Sequence, residues 1–181
     1  VRWWSALALL RCVTSSPAAA GVALLKRADT REEGLADASA LEAASDEELD
    51  KAFAPVVTDP LDVEFPSDAP PRDVFEAQEQ DPGWPDSERR RLQAFAREAR
   101  RLKGDSDAKL LALVECVREL LGEGYHPIVW CRYIATSDYV AEHLQARLQG
   151  AFPELRVTSV TGALQDEERR LKVEELAEAP T

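Results

Sequence analysis

The stretch HPIVWCRYIATSDYVAEHL, His126 to Leu144, carries an apolar run, PIVWC, that stops at Arg132, turns through Tyr133, Thr136 and Ser137, and continues as a helix from about Ser137 to Leu148. An uncharged apolar run of this length, closed by a polar turn, fits a strand buried on both faces of a sheet. In the helix, Val140, Ala141, Leu144 and Leu148 recur at helical spacing and would face that sheet.

Downstream, GAFPE leads to a second expected strand, LRVTSV, and Thr161 and Gly162 open a last helix, ALQDEERRLKVEELAEA. Strand, helix, strand, helix in this order implies a right-handed crossover and a parallel sheet, so the expected class is α/β. Upstream, DSERRRLQAFAREARRLK places Leu92, Phe95, Ala99 and Leu102 on one stripe, with Arg90, Arg97 and Arg101 elsewhere on the surface. SDAKLLALVECVRELLGEG repeats the pattern with Leu110, Leu113, Val114, Val117 and Leu121, and Gly122 and Gly124 end it.

In an open parallel sheet, ligands gather at the carboxyl ends of the strands, where helix N-termini offer unpaired N–H groups and partial positive charge. Arg132, Tyr133, Thr136, Ser137, Thr161 and Gly162 would lie at two such ends. A plainer reading stands beside it: Thr136 and Ser137 as helix caps, Thr161 as a turn residue, and Gly162 meeting an unusual dihedral angle.

The 181 residues suit one domain, and 45% hydrophobic content supports a core. The net charge of −12 is unevenly spread. From Asp29 to Glu88 there are 19 acidic and 3 basic residues, a balance of −16 that leaves +4 for the rest. Three zones follow: a helical segment over 1–28, an acidic, proline-containing linker or insertion over 29–85 holding one short helix, DEELDKAF, and 86–181 with the expected α/β elements. In the first zone, Trp3, Leu7 and Leu10 share a helix face, Ser16 can cap the next helix and Pro17 can open it.

WWSALALL after Arg2, with Ala18 to Ala20 beyond, imitates a secretory signal, but Arg11 cuts the run short of the roughly 20 apolar residues of a membrane span. An ordinary helix is the better reading. Cys12, Cys116 and Cys131 lack paired spacing; the last two read as small buried hydrophobes, and a reducing cytoplasm is the expected compartment. The chain begins at Val1 and has no Met, consistent with a fragment or a mistaken start.

Taken in order, Asp107 and Lys109 leading an amphipathic helix, PIVWCRYIATSDYVAEHL, and VTSVTGALQDEERR with Gly162, Glu167, Glu168 and Arg169 resemble the start of the C-terminal RecA-like lobe of superfamily 2 helicases of the Swi/Snf type and related DNA-dependent ATPases. The resemblance covers roughly residues 105 to 178, and ALLRCVTSSPAAAGVALLKR is similar to the helical stretch preceding that lobe in some bacterial members. It implies part of an ATP-driven nucleic-acid translocase, with DNA and a missing first lobe as partners and no membrane. Arg132, Tyr133, Thr136, Ser137, Thr161 and Gly162 would contact the sugar-phosphate backbone. ATP and magnesium would belong to the full-length parent.

No G-x-x-x-x-G-K-[ST] occurs, so this chain should not hydrolyse ATP alone. DEEL, Asp46 to Leu49, imitates a magnesium carboxylate motif, but LEAAS before it is no strand, and Ser45 with Glu48 reads as a capping box. In DEER, Asp166 to Arg169, the acids suit a helix start, where Glu168 can cap. His126 and His143 have no metal-ligand spacing. Two readings compete with the helicase fragment: a non-catalytic module that keeps the α/β half-lobe and whose acidic segment binds a basic partner or mimics nucleic-acid charge, and the remnant of a broken helicase gene.

Overall fold

The computed structural model describes residues 2–29 and 86–177, and the side chains of residues 6–28 and 87–177. Six α-helices are described: α1 (Arg2–Ser15), α2 (Pro17–Asp29), α3 (Asp86–Arg101), α4 (Ala108–Gly122), α5 (Ile134–Leu148) and α6 (Asp166–Ala177), with a 3-10 turn over Gly104–Ser106. The short helix DEELDKAF and the Ser45–Glu48 capping box lie outside the described residues.

Ser16 separates α1 from α2. Its Oγ accepts from the Ala19 N–H at 3.1 Å, and Pro17, whose missing N–H costs nothing at a first helical position, begins α2. The alanines of α2 let it serve two neighbours. Ala18 joins Leu110, Val114 and Val117 of α4 and Tyr139, Val140, Leu144 and Leu148 of α5 in the main core, while Ala20 and Leu24 pack with Ala96 and Ala99 of α3. Gly21, early in α2, lies 3.9 Å (as an added Cβ) from the Arg100 side chain late in α3, and Pro17 shares a cleft with Leu102. The two helices therefore run antiparallel.

The stripe expected on α4 is present: Leu110, Val114 and Val117 are buried, and Leu113 and Leu121 pack at its margin. Asp107 caps this helix, accepting from the N–H groups of Lys109 and Leu110 at 3.1 Å each. At the other end Gly124 takes φ +86°, and the Tyr125 N–H closes on the Leu120 carbonyl at 2.9 Å. On α5, Val140, Leu144 and Leu148 are buried as expected, but against α4 and α2.

The expected α/β class is overturned. No strand occurs among the described residues, so the partial RecA-like parallel sheet is not formed. PIVWC and LRVTSV do alternate: Val129, Cys131, Leu155 and Val157 pack against the main core, while Ile128 and Trp130 are 77% and 90% exposed. Burial is therefore on one face, not two. A ladder needs backbone partners as well as alternation. Here a side chain stands in for a neighbouring strand: the Gln145 amide accepts from the Val157 N–H at 2.8 Å and donates to the Leu155 carbonyl at 3.0 Å.

Other details differ. On α1, Ala8 and Cys12 are buried and Leu10 is exposed, so the inward face is not that of Leu7 and Leu10. On α3, Leu92, Ala96 and Ala99 turn inward, whereas Phe95, and Leu102 just past the helix end, are about half exposed. Cys116 is exposed and Cys131 only half-buried. No described helix is long and apolar enough to cross a membrane.

Candidate functional site

α5 begins at Ile134, three residues before the expected start, and Tyr133, at its N-cap, provides no side-chain cap. Thr136 therefore falls inside the first turn and points inward. Its Oγ1 lies 2.7 Å from Ser16 Oγ and 3.0 Å from Ser15 Oγ, so three hydroxyls clamp the α1–α2 junction to α5. Lys109 Nζ secures the same junction from α4, donating to the carbonyls of Ser15 at 3.0 Å and Thr14 at 3.5 Å. These carbonyls end α1, where the helix dipole favours a cation.

A second polar cluster lies beside the first. The buried Tyr139 hydroxyl donates to Asp107 Oδ2 at 3.1 Å and accepts from the Gly104 N–H at 2.9 Å. Burial raises the Tyr139 pKa, the Gly104 bond lowers it, and the Asp107 carboxylate raises it further. His143 meets this ring edge-on, with centroids 4.7 Å apart. Arg147 donates to Asp105 at 2.5 Å, and that hydrogen bond, with the guanidinium charge, holds the Asp105 carboxyl below its ordinary range.

The six residues singled out from the sequence are dispersed. Arg132 is exposed, its guanidinium carbon 5.9 Å from the centre of the Tyr133 ring. Tyr133 is half-buried beside Cys12; loss of water raises its pKa to about 12, with Cys12 adding to the rise and Arg132 opposing it. Thr136 is buried in the hydroxyl clamp. Ser137 Oγ lies 2.9 Å from Ser159 Oγ, and Ser159 also donates to Asp138 at 2.8 Å, so the two turns meet through Ser137 and Ser159. Thr161 and Gly162 are half-buried; the Thr161 carbonyl accepts from the Leu164 N–H at 3.2 Å. Positive φ occurs at Gly104 and Gly124, not at Gly162.

Sequence reasoning missed Ser15, Ser159 and Gln145. Ser16 was legible as a cap, but nothing in its type or spacing signals a bond to Thr136, 120 residues later. Glu168, by contrast, caps as expected, accepting from the Gln165 N–H at 3.2 Å.

These arrangements can hold helices together. The clamp hydroxyls bond to one another and to a helix amide. Among the described residues no group of three or more His, Cys, Asp or Glu side chains could hold a metal ion. Between the end of α1, the start of α2 and the end of α3 lies a cleft of about 520 Å³, lined mainly by apolar side chains including Val13, Pro17, Leu24, Phe95 and Leu102.

The helicase expectation is corrected by the same geometry. The two turns were to lie at the carboxyl ends of parallel strands, and without a sheet among the described residues there is no such edge to collect phosphates or to face a second lobe. The reading as a partial ATP-dependent helicase or translocase lobe falls with it, together with the ATP-binding and hydrolase roles it implied. No protein-family model matches the chain, and no curated protein or solved structure matches it.

Proposed function

We propose that this chain is a non-catalytic interaction module, a helical body that carries an acidic segment, residues 29–85, for a basic protein partner. The supporting observation is the pairing of charge with geometry. From Asp29 to Glu88 the balance is −16 against +4 elsewhere, and that run joins the end of α2 to the start of α3, helices that pack antiparallel. The acidic run therefore leaves and re-enters the body at one end of a helix pair. Charge complementarity of this kind speeds encounter and selects against acidic partners.

The test is fluorescence anisotropy of a labelled lysine-rich peptide titrated with the full chain at low and raised salt, with duplex DNA in a parallel titration. Peptide binding that weakens with salt is expected. It should be lost when residues 30–85 are deleted, and reduced when Asp46→Asn, Glu47→Gln, Glu48→Gln and Asp50→Asn are combined, with helix content unchanged by circular dichroism. Binding of DNA in preference to the peptide, or peptide binding that survives the deletion, would refute the proposal.

A further inference from the structure

The surface of α3 opposite α2 is basic. Leu92, Ala96 and Ala99 face α2, and at about 100° per residue Arg90, Arg97 and Arg101, spaced i, i+7 and i+11, fall in line on the far side. All three are exposed. Arg101 contacts Glu98 at 3.4 Å, but with the two side chains 78% and 60% exposed this pair holds its arginine weakly. The whole helix carries six arginines against Asp86, Glu88 and Glu98.

What fits this stripe is a row of carboxylates, and the chain supplies one. Residues 30–85 contain 16 acidic and 3 basic side chains and are tied to the body at Asp29 and Asp86, the latter being the first residue of α3 itself. Arg101 lies about 22 Å along the helix from Asp86. Half of the intervening chain can extend about 90 Å, so the whole stripe is within reach. Tethering at both ends raises the local concentration of these carboxylates to the order of millimolar, enough for weak individual pairs to compete with a dissolved partner.

We infer that the Arg90–Arg97–Arg101 stripe of α3 is a docking surface for the chain's own acidic residues 30–85, so that a basic partner must displace the stripe to bind them. The displacement rests on the proposed function; the docking does not.

Docking is tested on the full chain carrying Arg97→Lys and Arg101→Lys, which keep the charge and add amines. Carbodiimide treatment joins an amine and a carboxylate in contact as an amide, and peptide mapping of the monomer identifies the pairs. Coupling from position 97 or 101 into residues 30–85 is expected. Coupling confined to Glu98 and other carboxylates within 86–177, or found only between two copies, overturns the docking.

Displacement is tested with the combined variant Arg90→Gln, Arg97→Gln, Arg101→Gln and the lysine-rich peptide. Its affinity should rise about 3- to 10-fold over the unmodified chain, because the competing state is removed, and the gain should vanish at high salt. Unchanged or weaker affinity overturns the displacement. If the unmodified chain binds no peptide, the proposed function fails, while the coupling map still decides the docking. Duplex-DNA binding that is lost in this variant, with no coupling into residues 30–85, assigns the stripe to phosphates and overturns the inference.

Discussion

Thr136 shows how one hydroxyl can connect segments distant in the chain. Its position after an apolar run suits a cap or a phosphate ligand, and the structure buries it between Ser15 and Ser16. Thr136→Val keeps the shape and removes the bonds, leaving the buried Ser16 hydroxyl with only the Ala19 N–H, so urea unfolding should show a loss of about 1–2 kcal/mol; Thr136→Ser should cost much less. An unchanged midpoint for the valine variant would contradict the clamp. Tyr133 gives a second readout. Its pKa, raised to about 12 from 10, means that the fold favours the neutral phenol. The stability it contributes is complete below about pH 10 and is lost as pH rises through 12. A spectrophotometric titration should find a tyrosine step near pH 12, and Tyr133→Phe should remove that step while the raised Tyr139 remains.

At the scale of elements, capping and helical periodicity were legible where one pattern had one solution. Ser16 before Pro17 and the Leu110–Val114–Val117 stripe each read directly into structure, whereas Asp107 stood out only as leading into its helix and its capping role comes from the structure. On α3 the pattern allowed two adjoining stripes. Phe95 and Leu102 match the helical period as well as Ala96 does, and only packing against the small residues of α2 selects the alanine side. The extended runs failed for another reason. Alternation places Val129 and Val157 inward, but no feature of a run states whether backbone groups elsewhere will pair with it. The Asp107 cap also receives the Tyr139 hydroxyl, so it joins α4 to α5. Asp107→Ala should therefore cost more than an ordinary cap, about 2–3 kcal/mol in denaturant unfolding, and Asp107→Asn less. Equal effects of the two would show that the Tyr139 bond and the cap are not shared by this side chain.

For the whole molecule, described residues 2–29 and 86–177 make a helical body with two extended runs laid against one side. Ile128 and Trp130 remain outward, so the apolar composition that suggested a doubly covered sheet serves a single packed face. The charge division was fully legible because it is additive along the sequence, whereas the placement of Arg132, Tyr133, Thr136, Ser137, Thr161 and Gly162 depended on long-range packing that spacing does not encode.

Residue-resolved amide hydrogen exchange distinguishes a helical body with unpaired extended runs from a paired sheet. Strong protection is expected across α4 and α5, with fast exchange at Ile128 to Cys131 and at Arg156 to Val160, except for the Val157 N–H held by Gln145. Continuous protection of both runs, matching that of the helices, would show paired strands and contradict the helical body with unpaired runs.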